Sequence, residues 1–408
     1  MKNISRYILV FIAILSLAVA LPKFYWLIFA KPSPTSFIMY SCIENDFMII
    51  DNGDLRDVKG NEYTRDEFEQ KLPLYNMRQL IISGVMPDSI NGYAMDPHEV
   101  NMHRSYFRYK PASVFAPKPG LYPLFESESG RAQLEMPEDF FRIKWRMEFV
   151  DAATNKVLEE KTQMFTAVLQ KRGFRFPAKM IEGLPTTRKS CDEGYMVVDD
   201  NDMLYHIKMI QGKPYVKKVD LPEGLKFNYI GCVDLKDKKY YCYLFSEDND
   251  LYVLTQDEYK LVKWDVKGLN PQKEEIRIYG DFFNYDVIQV GENYKKNTAL
   301  DKNYQKVDEY TKTWQKREET TQGRIFSKIF PAEIKLYNRY SAFNDFYIKW
   351  SGSLALIIIN VIFLIIHILI IRRRKAILKN HVVDFALILV TGIYGFIAVN
   401  FFPNKFHD

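Results

Sequence analysis

Cysteine and histidine are scarce in this sequence, with 4 Cys and 6 His among 408 residues. Four cysteines, Cys42, Cys191, Cys232 and Cys242, are too few for a disulfide framework in a chain of this length. There is no GxxxxGK phosphate loop and no GxSxG nucleophile elbow, which removes P-loop energy coupling and elbow-serine acyl transfer from consideration. The nearest approach to a metalloprotease motif is Asp96, His98, Glu99 and His103. Its two histidines stand five positions apart where that motif needs four. At about 100° per residue they would be roughly 140° apart on a helix, off any common face. No metal, no cofactor and no catalytic residue is expected from these absences.

What the chain does have is apolar sequence concentrated at its two ends. Residues 7–30, YILVFIAILSLAVALPKFYWLIFA, are interrupted only by Pro22 and Lys23. That length crosses ~30 Å of hydrocarbon at about 1.5 Å per residue. Residues 350–371 and 382–402 are of similar length and composition. Three transmembrane helices are therefore expected. Ala18-Val19-Ala20 also fits a signal-peptide cleavage site, the competing reading of the first segment, although the apolar run resumes at Phe24 with interfacial Tyr25 and Trp26.

Basic residues flanking hydrophobic segments are retained on the cytosolic side. Lys2 and Arg6 precede the first, and Arg372, Arg373, Arg374, Lys375 and Lys379 crowd the link between the other two. The expected topology has residues 1–6 and the 372–381 link in the cytosol, 31–349 outside it, and a tail, 403–408, emerging outside. A multi-pass membrane protein with its main domain outside the cytosol is therefore expected. The overall charge of +5 follows the same division. Nine basic and two acidic residues fall in 1–30 and 350–408, leaving 47 basic against 49 acidic in 31–349. The basic excess is a topology signal, and nucleic acid is not an expected partner.

Within the exported part, 31–125 reads as mixed α/β. Thr64 and Glu67 form a capping box, Pro73 breaks that helix, and a second runs toward Ile82. From about Phe140 short runs rich in Val, Tyr, Phe and Ile alternate with Asp, Asn and Gly turns, so 126–315 is expected to be mainly β. Similar acidic turns begin near residues 151, 199, 247 and 301, a spacing close to that of propeller blades. Propeller-like repeated meanders are the expected fold, with a β-sandwich as the alternative. The Asp-Asn-Asp turns at 200–202 and 248–250 lack the glycine and distal glutamate of an EF-hand loop and read as hairpin turns. The aromatic-rich stretch 316–349 leads to the membrane.

Two further features stand out. YIGCVDLKDKKYYCYLF reads as a hairpin that places Cys232 opposite Cys242, either as a cross-strand disulfide or as two buried thiols. In the terminal segments Ser353, Asn360 and His367 recur every seven residues, as do Asp384, Thr391 and Ala398. Paired antiparallel, the two helices would set His367 level with Asp384, Asn360 with Thr391 and Ser353 with Ala398. This membrane polar seam is interhelical glue or a proton-responsive pair.

The segments LPKFYW (21–26), GNEYTRDEFEQKLPLYNMRQL (60–80) and MPDSING (86–92), followed by the terminal hydrophobic segments, resemble an uncharacterised family of membrane-anchored proteins of Gram-negative anaerobes, whose members tend to be encoded beside ABC-transporter components. The resemblance implies a non-enzymatic accessory or sensor subunit of an ABC-type transport system. Its extracytoplasmic domain would bind a ligand or envelope partner, and an ATPase and permease would be its membrane partners. A divergent ABC permease subunit and an envelope enzyme are the alternatives. The permease reading lacks the usual fourth span.

Overall fold

The computed structural model describes residues 2–30 and 36–404. Residue 1, the start of the mixed segment at 31–35 and the end of the tail at 405–408 lie outside the described residues. The chain divides into a β unit, Thr35–Lys312, and a helical unit formed by Met1–Pro34 with Thr313–Asp408.

The β unit consists of several small antiparallel sheets. Two are four-stranded meanders, Met180 to Lys218 and Phe227 to Lys263, and they contain the two most similar turns of the repeat. In the first, Asp199 Oδ1 accepts from the N–H groups of Asn201 and Met203, both at 2.9 Å. In the second, the Ser246 hydroxyl accepts from Asp250 N at 3.1 Å. These polar side chains cap tight turns, as hairpin turns of this composition should. The other two turns belong to different structures. The one after Val150 leads through Val157 into the helix Glu159–Lys171, and the one at Asp301 joins two strands of a five-stranded sheet. The described residues therefore form a mainly β unit without a closed propeller or barrel, because only half of the repeats share the meander.

The five-stranded sheet runs Lys306–Thr313, Tyr294–Leu300, Tyr285–Val290, Glu275–Gly280, Ser105–Tyr109. Its last strand comes from the segment expected to be a separate mixed region, so the expected 31–125 and 126–315 regions share one sheet. Glu275–Gly280 alternates in burial, with Ile276 and Ile278 inside and Arg277 turned outward. That is the period of two of a strand with one covered face. Tyr240–Ser246 is buried at every position and correspondingly reads as a continuous apolar and aromatic run. Trp264 lies fully buried against Tyr304, their rings stacked at 4.9 Å. Farther forward, the capping box forms as the sequence requires: Thr64 caps the helix Arg65–Lys71, and Pro73 opens the next, Pro73–Ile82.

Among the described residues of the helical unit two helices are long and apolar enough to cross a membrane: α1 (Lys2–Phe29) and α2 (Ala355–Arg373). The third expected crossing is not one helix. Residues 382–402 form α3 (Val382–Thr391) and α4 (Ile393–Phe401), separated by Gly392. Gly392 has φ +56° and ψ −126°, a conformation that ends α3 and turns the chain back. Ten residues of helix extend only about 15 Å.

The reversal is established by Arg6. Its Nη1 and Nη2 donate to the two carboxylate oxygens of Asp384 at 2.9 and 3.0 Å, and its Nε donates to the Phe402 carbonyl at 2.8 Å. One side chain thus reaches both the start of α3 and the end of α4. A continuous helix would separate those residues by about 27 Å. Asn404 Nδ2 donates to the Asn380 carbonyl at 3.3 Å, so the chain leaves the hairpin where it entered. Pro403 and Asn404 therefore stand at the same end of the helical unit as the start of α3. Hydropathy measures how apolar a segment is and is blind to a reversal within it.

The hairpin packs against α1 through Val10, Ile14 and Ala18, which meet Ile388, Tyr394, Ala398 and Val399. Small residues at this contact let the backbones approach. At the opposite end from Arg6, the Tyr394 hydroxyl donates to the Ala332 carbonyl at 2.5 Å, and Tyr25 donates to the Gln322 carbonyl at 2.8 Å. A Cβ at Gly392 would run into the Asn360 amide oxygen. Gly392→Ala is therefore expected to destabilise the detergent-solubilised protein by about 1–3 kcal/mol through backbone conformation alone. Gly120→Ala, at an open position with no positive φ, should leave the unfolding midpoint unchanged. Equal midpoints for the two variants would refute the fold-back.

Candidate functional site

Two groupings of polar side chains merit consideration, one in each unit. In the helical unit the cluster is centred on Asp384, which is 1% exposed, and Arg6, which is 7% exposed. His381 Nδ1 lies 3.1 Å from Asp384 Oδ2, and His367 Nδ1 lies 3.1 Å from Asn400 Oδ1. One ligating atom each from His367, His381 and Asp384 falls within 4.8 Å of the others. The chemistry of the set nevertheless favours an ion pair over a metal. Both Asp384 oxygens already accept from the guanidinium, and a divalent cation there would add positive charge beside it.

The seam residues take different partners from those of a simple helical pair. Asn360 Nδ2 donates to the Leu389 carbonyl at 2.9 Å, one of the acceptors freed where α3 ends. Thr391 donates to the Leu387 carbonyl of its own helix. Ser353 precedes α2, while Ala398 packs in the core formed with α1. The register changes because α3 and α4 fold back and α1 enters the cluster. Arg372 and Arg373 in the last turn of α2 and Arg374 and Lys375 just after it are exposed and form no ion pair among the described residues.

Elsewhere, Cys232 and Cys242 face each other in the register of neighbouring strands with both thiols free, and burial pushes the Cys232 thiol up to about 12. Asp96 caps the helix Pro97–Met102, its oxygens accepting from His98 N and Glu99 N at 3.3 Å. His103 pairs instead with Asp237 at 3.4 Å. Asp96, His98 and Glu99 thus stand together at an exposed helix start, one ligating atom of each within 4.8 Å of the others, while His103 makes a separate surface contact.

The second grouping lines a cavity of about 220 Å³ in the β unit. Its wall is built where Phe37–Ser41, Pro73–Ile82, Ser105–Tyr109 and the turn between Glu275–Gly280 and Tyr285–Val290 converge. Gly280 permits that convergence, since a Cβ there would meet the Tyr285 ring at 2.7 Å. Tyr106 and Tyr279 lie side by side on adjacent strands with ring centroids 4.8 Å apart, and Tyr40 and Tyr75 add further aromatic surface.

Asp286 supplies the chemistry of this cavity. It is 5% exposed, and its Oδ2 accepts from Tyr40 N at 2.8 Å. Its Oδ1 is buried without a hydrogen-bond partner. Burial raises this carboxyl to about 7; the Tyr40 N–H opposes the shift, Asp281 adds to it, and Lys295 opposes it. Asp281 is also raised by desolvation, against the N–H groups of Asn284 and Phe283 that bond to it. Lys295, half-buried nearby, is lowered to about 8 by desolvation and the adjacent positive charges of Arg277 and Lys312, with Asp286 pulling the other way. Arg104 stands exposed at the rim and has no ion pair among the described residues.

A buried, incompletely bonded carboxylate in an aromatic cavity fits the general form of a ligand site. None of the residues singled out from the sequence lies in it. The available signal was the Asp within YDVIQV, a charge in an otherwise apolar strand, reached through the turn DFFN.

The chain belongs to the family described as Domain of unknown function (DUF4857), whose sequence profile matches residues 37–300. No curated protein matches the chain.

Breaking a buried ion pair strands the remaining charge, whereas removing both partners does not. Arg6→Leu is expected to lower stability by about 3–5 kcal/mol. Arg6→Leu combined with Asp384→Leu should recover most of that loss in a thermal-unfolding comparison. A double variant as unstable as the single one would show that Arg6 acts through the Phe402 carbonyl instead.

Proposed function

We propose that this member of the DUF4857 family is a non-enzymatic accessory or sensor subunit of a bacterial cytoplasmic membrane, whose β unit takes up a small ligand on the periplasmic side. The observation that carries the reading is the aromatic cavity lined by Asp286, a carboxyl whose Oδ1 the protein leaves without a partner. Membrane anchoring is supported by the apolar side chains that α1 and α2 leave exposed, among them Phe11, Ile12, Ile358 and Leu369. Uncovered apolar surface of this extent needs lipid or protein against it.

In this reading α1 runs outward from the cytosol, residues 36–312 lie in the periplasm, α2 returns, and α3 with α4 dips into the bilayer and comes back. The reversal at Gly392 is tolerable at membrane depth because protein surrounds it and Asn360 satisfies a carbonyl at the break. Both α2–α3 link and tail then share the cytosolic side. Arg372, Arg373, Arg374 and Lys375 offer a cationic surface there to an ABC-type ATPase or permease, the partners implied by the family resemblance. The broken α3–α4 segment favours a second reading, a divergent permease subunit, since discontinuous helices line binding sites in transporters.

Two measurements address these claims. Cysteines introduced at Pro403 and at Arg373 should react with an impermeant maleimide only after the inner membrane is opened, whereas one at Trp145 should react in spheroplasts directly. Labelling of the Pro403 reporter in intact spheroplasts would discard the re-entrant arrangement. Native purification from mildly solubilised membranes should recover an ABC ATPase and permease in fixed ratio. The protein recovered alone from a preparation in which such complexes survive would remove the transport assignment and leave the ligand site to be judged separately.

A further inference from the structure

The chemistry of the cavity restricts what it can hold, and the following rests on the reading of that cavity as a ligand site. We propose that the ligand is a small zwitterion, of amino-acid size, whose ammonium group seats on Asp286 and whose anionic group is met by Arg104.

Three observations support this choice. Asp286 lines the cavity, and its Oδ1 is buried without a donor, so rotation of the carboxyl toward a ligand N–H would make the bond that the protein leaves unmade. Tyr40, Tyr106 and Tyr279 present aromatic surface in the same cavity, which suits a cation over a neutral group. Arg104 lines the cavity at its exposed edge and pairs with no carboxylate among the described residues, leaving its guanidinium available for an anionic group.

Size and charge exclude the main competitors. A volume of about 220 Å³ suits a group of amino-acid size. A simple anion could use Arg104 but would meet the carboxyl groups of Asp281 and Asp286. A neutral sugar could bond to Asp286 while leaving Arg104 unused. Only a ligand carrying both charges uses both groups.

Proton linkage follows from the surroundings. Asp286 is faced by Asp281 from the preceding turn, by Lys295 from the adjoining strand and by the backbone N–H of Tyr40, while Arg104 lines the same cavity and acts on Asp281. With its carboxyl raised to about 7, it is largely protonated in the empty cavity at lower pH. Seating an ammonium group favours the carboxylate, so binding releases a proton below that point. Affinity should weaken by about tenfold for each pH unit below about 7 and level off above it.

The test is calorimetric titration of the full-length protein in detergent with individual L-α-amino acids, alongside ethanolamine and acetate as carriers of one charge each. At least one amino acid should bind, more tightly than either single-charge probe and with the stated pH dependence. Asp286→Asn, which keeps the shape, should weaken binding about a hundredfold and abolish the pH slope. Arg104→Met, at an exposed position, should weaken it by tenfold or more. Thermal unfolding of each variant confirms that the fold is retained. Ethanolamine binding as tightly as the amino acid would remove the anionic subsite from the proposal, and full affinity in Asp286→Asn would remove the ammonium seat. If no amino acid binds but a neutral sugar raises the unfolding midpoint, and Tyr106→Ala abolishes that effect, the zwitterion is wrong and the ligand site survives. If neither the amino acids nor a broad panel of small metabolites binds, both fall.

Discussion

The guanidinium of Arg6 and the carboxylate of Asp384, 378 positions apart, form the contact on which the helical unit depends. Each charge would be costly to bury alone. Joined by two hydrogen bonds they neutralise each other, and His381 lies against the carboxylate. The same arginine also grips the Phe402 carbonyl, so the start of α3 and the end of α4 are drawn to one point. The chain ends therefore build one unit, and the whole β unit is an insertion between its halves. Asn360 plays the complementary part at the tip of the hairpin, where it satisfies a carbonyl that the broken helix exposes.

The β unit contains a buried carboxylate of the opposite kind. Asp286 receives one backbone N–H and no cation within ion-pair distance, so its charged form is disfavoured where that of Asp384 is matched. A stability argument explains Asp384 fully, since its two oxygens have partners. It does not explain why a strand otherwise packed with Val287 and Ile288 should carry Asp286 into the wall of a cavity. An incompletely bonded buried group of this kind is expected where a ligand completes the set.

Much of the secondary structure was legible because its signals are local. Thr64, Glu67 and Pro73 specify two helices within a dozen residues, and the acidic turns at 199 and 247 sit inside the meanders that their Val, Tyr and Phe flanks announce. The inference from repeat to propeller failed at the units near 151 and 301. Their turns resemble the others, but one feeds a helix and the other a five-stranded sheet completed by Ser105–Tyr109. A turn motif dictates its own few residues and carries no information about which distant strand will pair beside it.

The same division holds at the site and in the hydrophobic ends. The sequence by itself determined that two terminal regions are apolar, that the part between them is mainly β, and that basic residues cluster at Arg372–Lys375. Composition and short-range periodicity suffice for those properties. Only the tertiary structure decided that residues 382–402 fold back and that Asp286, Tyr40, Tyr106 and Arg104 line one cavity. The physical reason is the same in both cases. The reversal depends on Arg6 and Asn360 satisfying groups on α3 and α4, and the cavity on strands from residues 37–41, 105–109 and 285–290 meeting, and neither set of contacts is encoded in any contiguous stretch of chain.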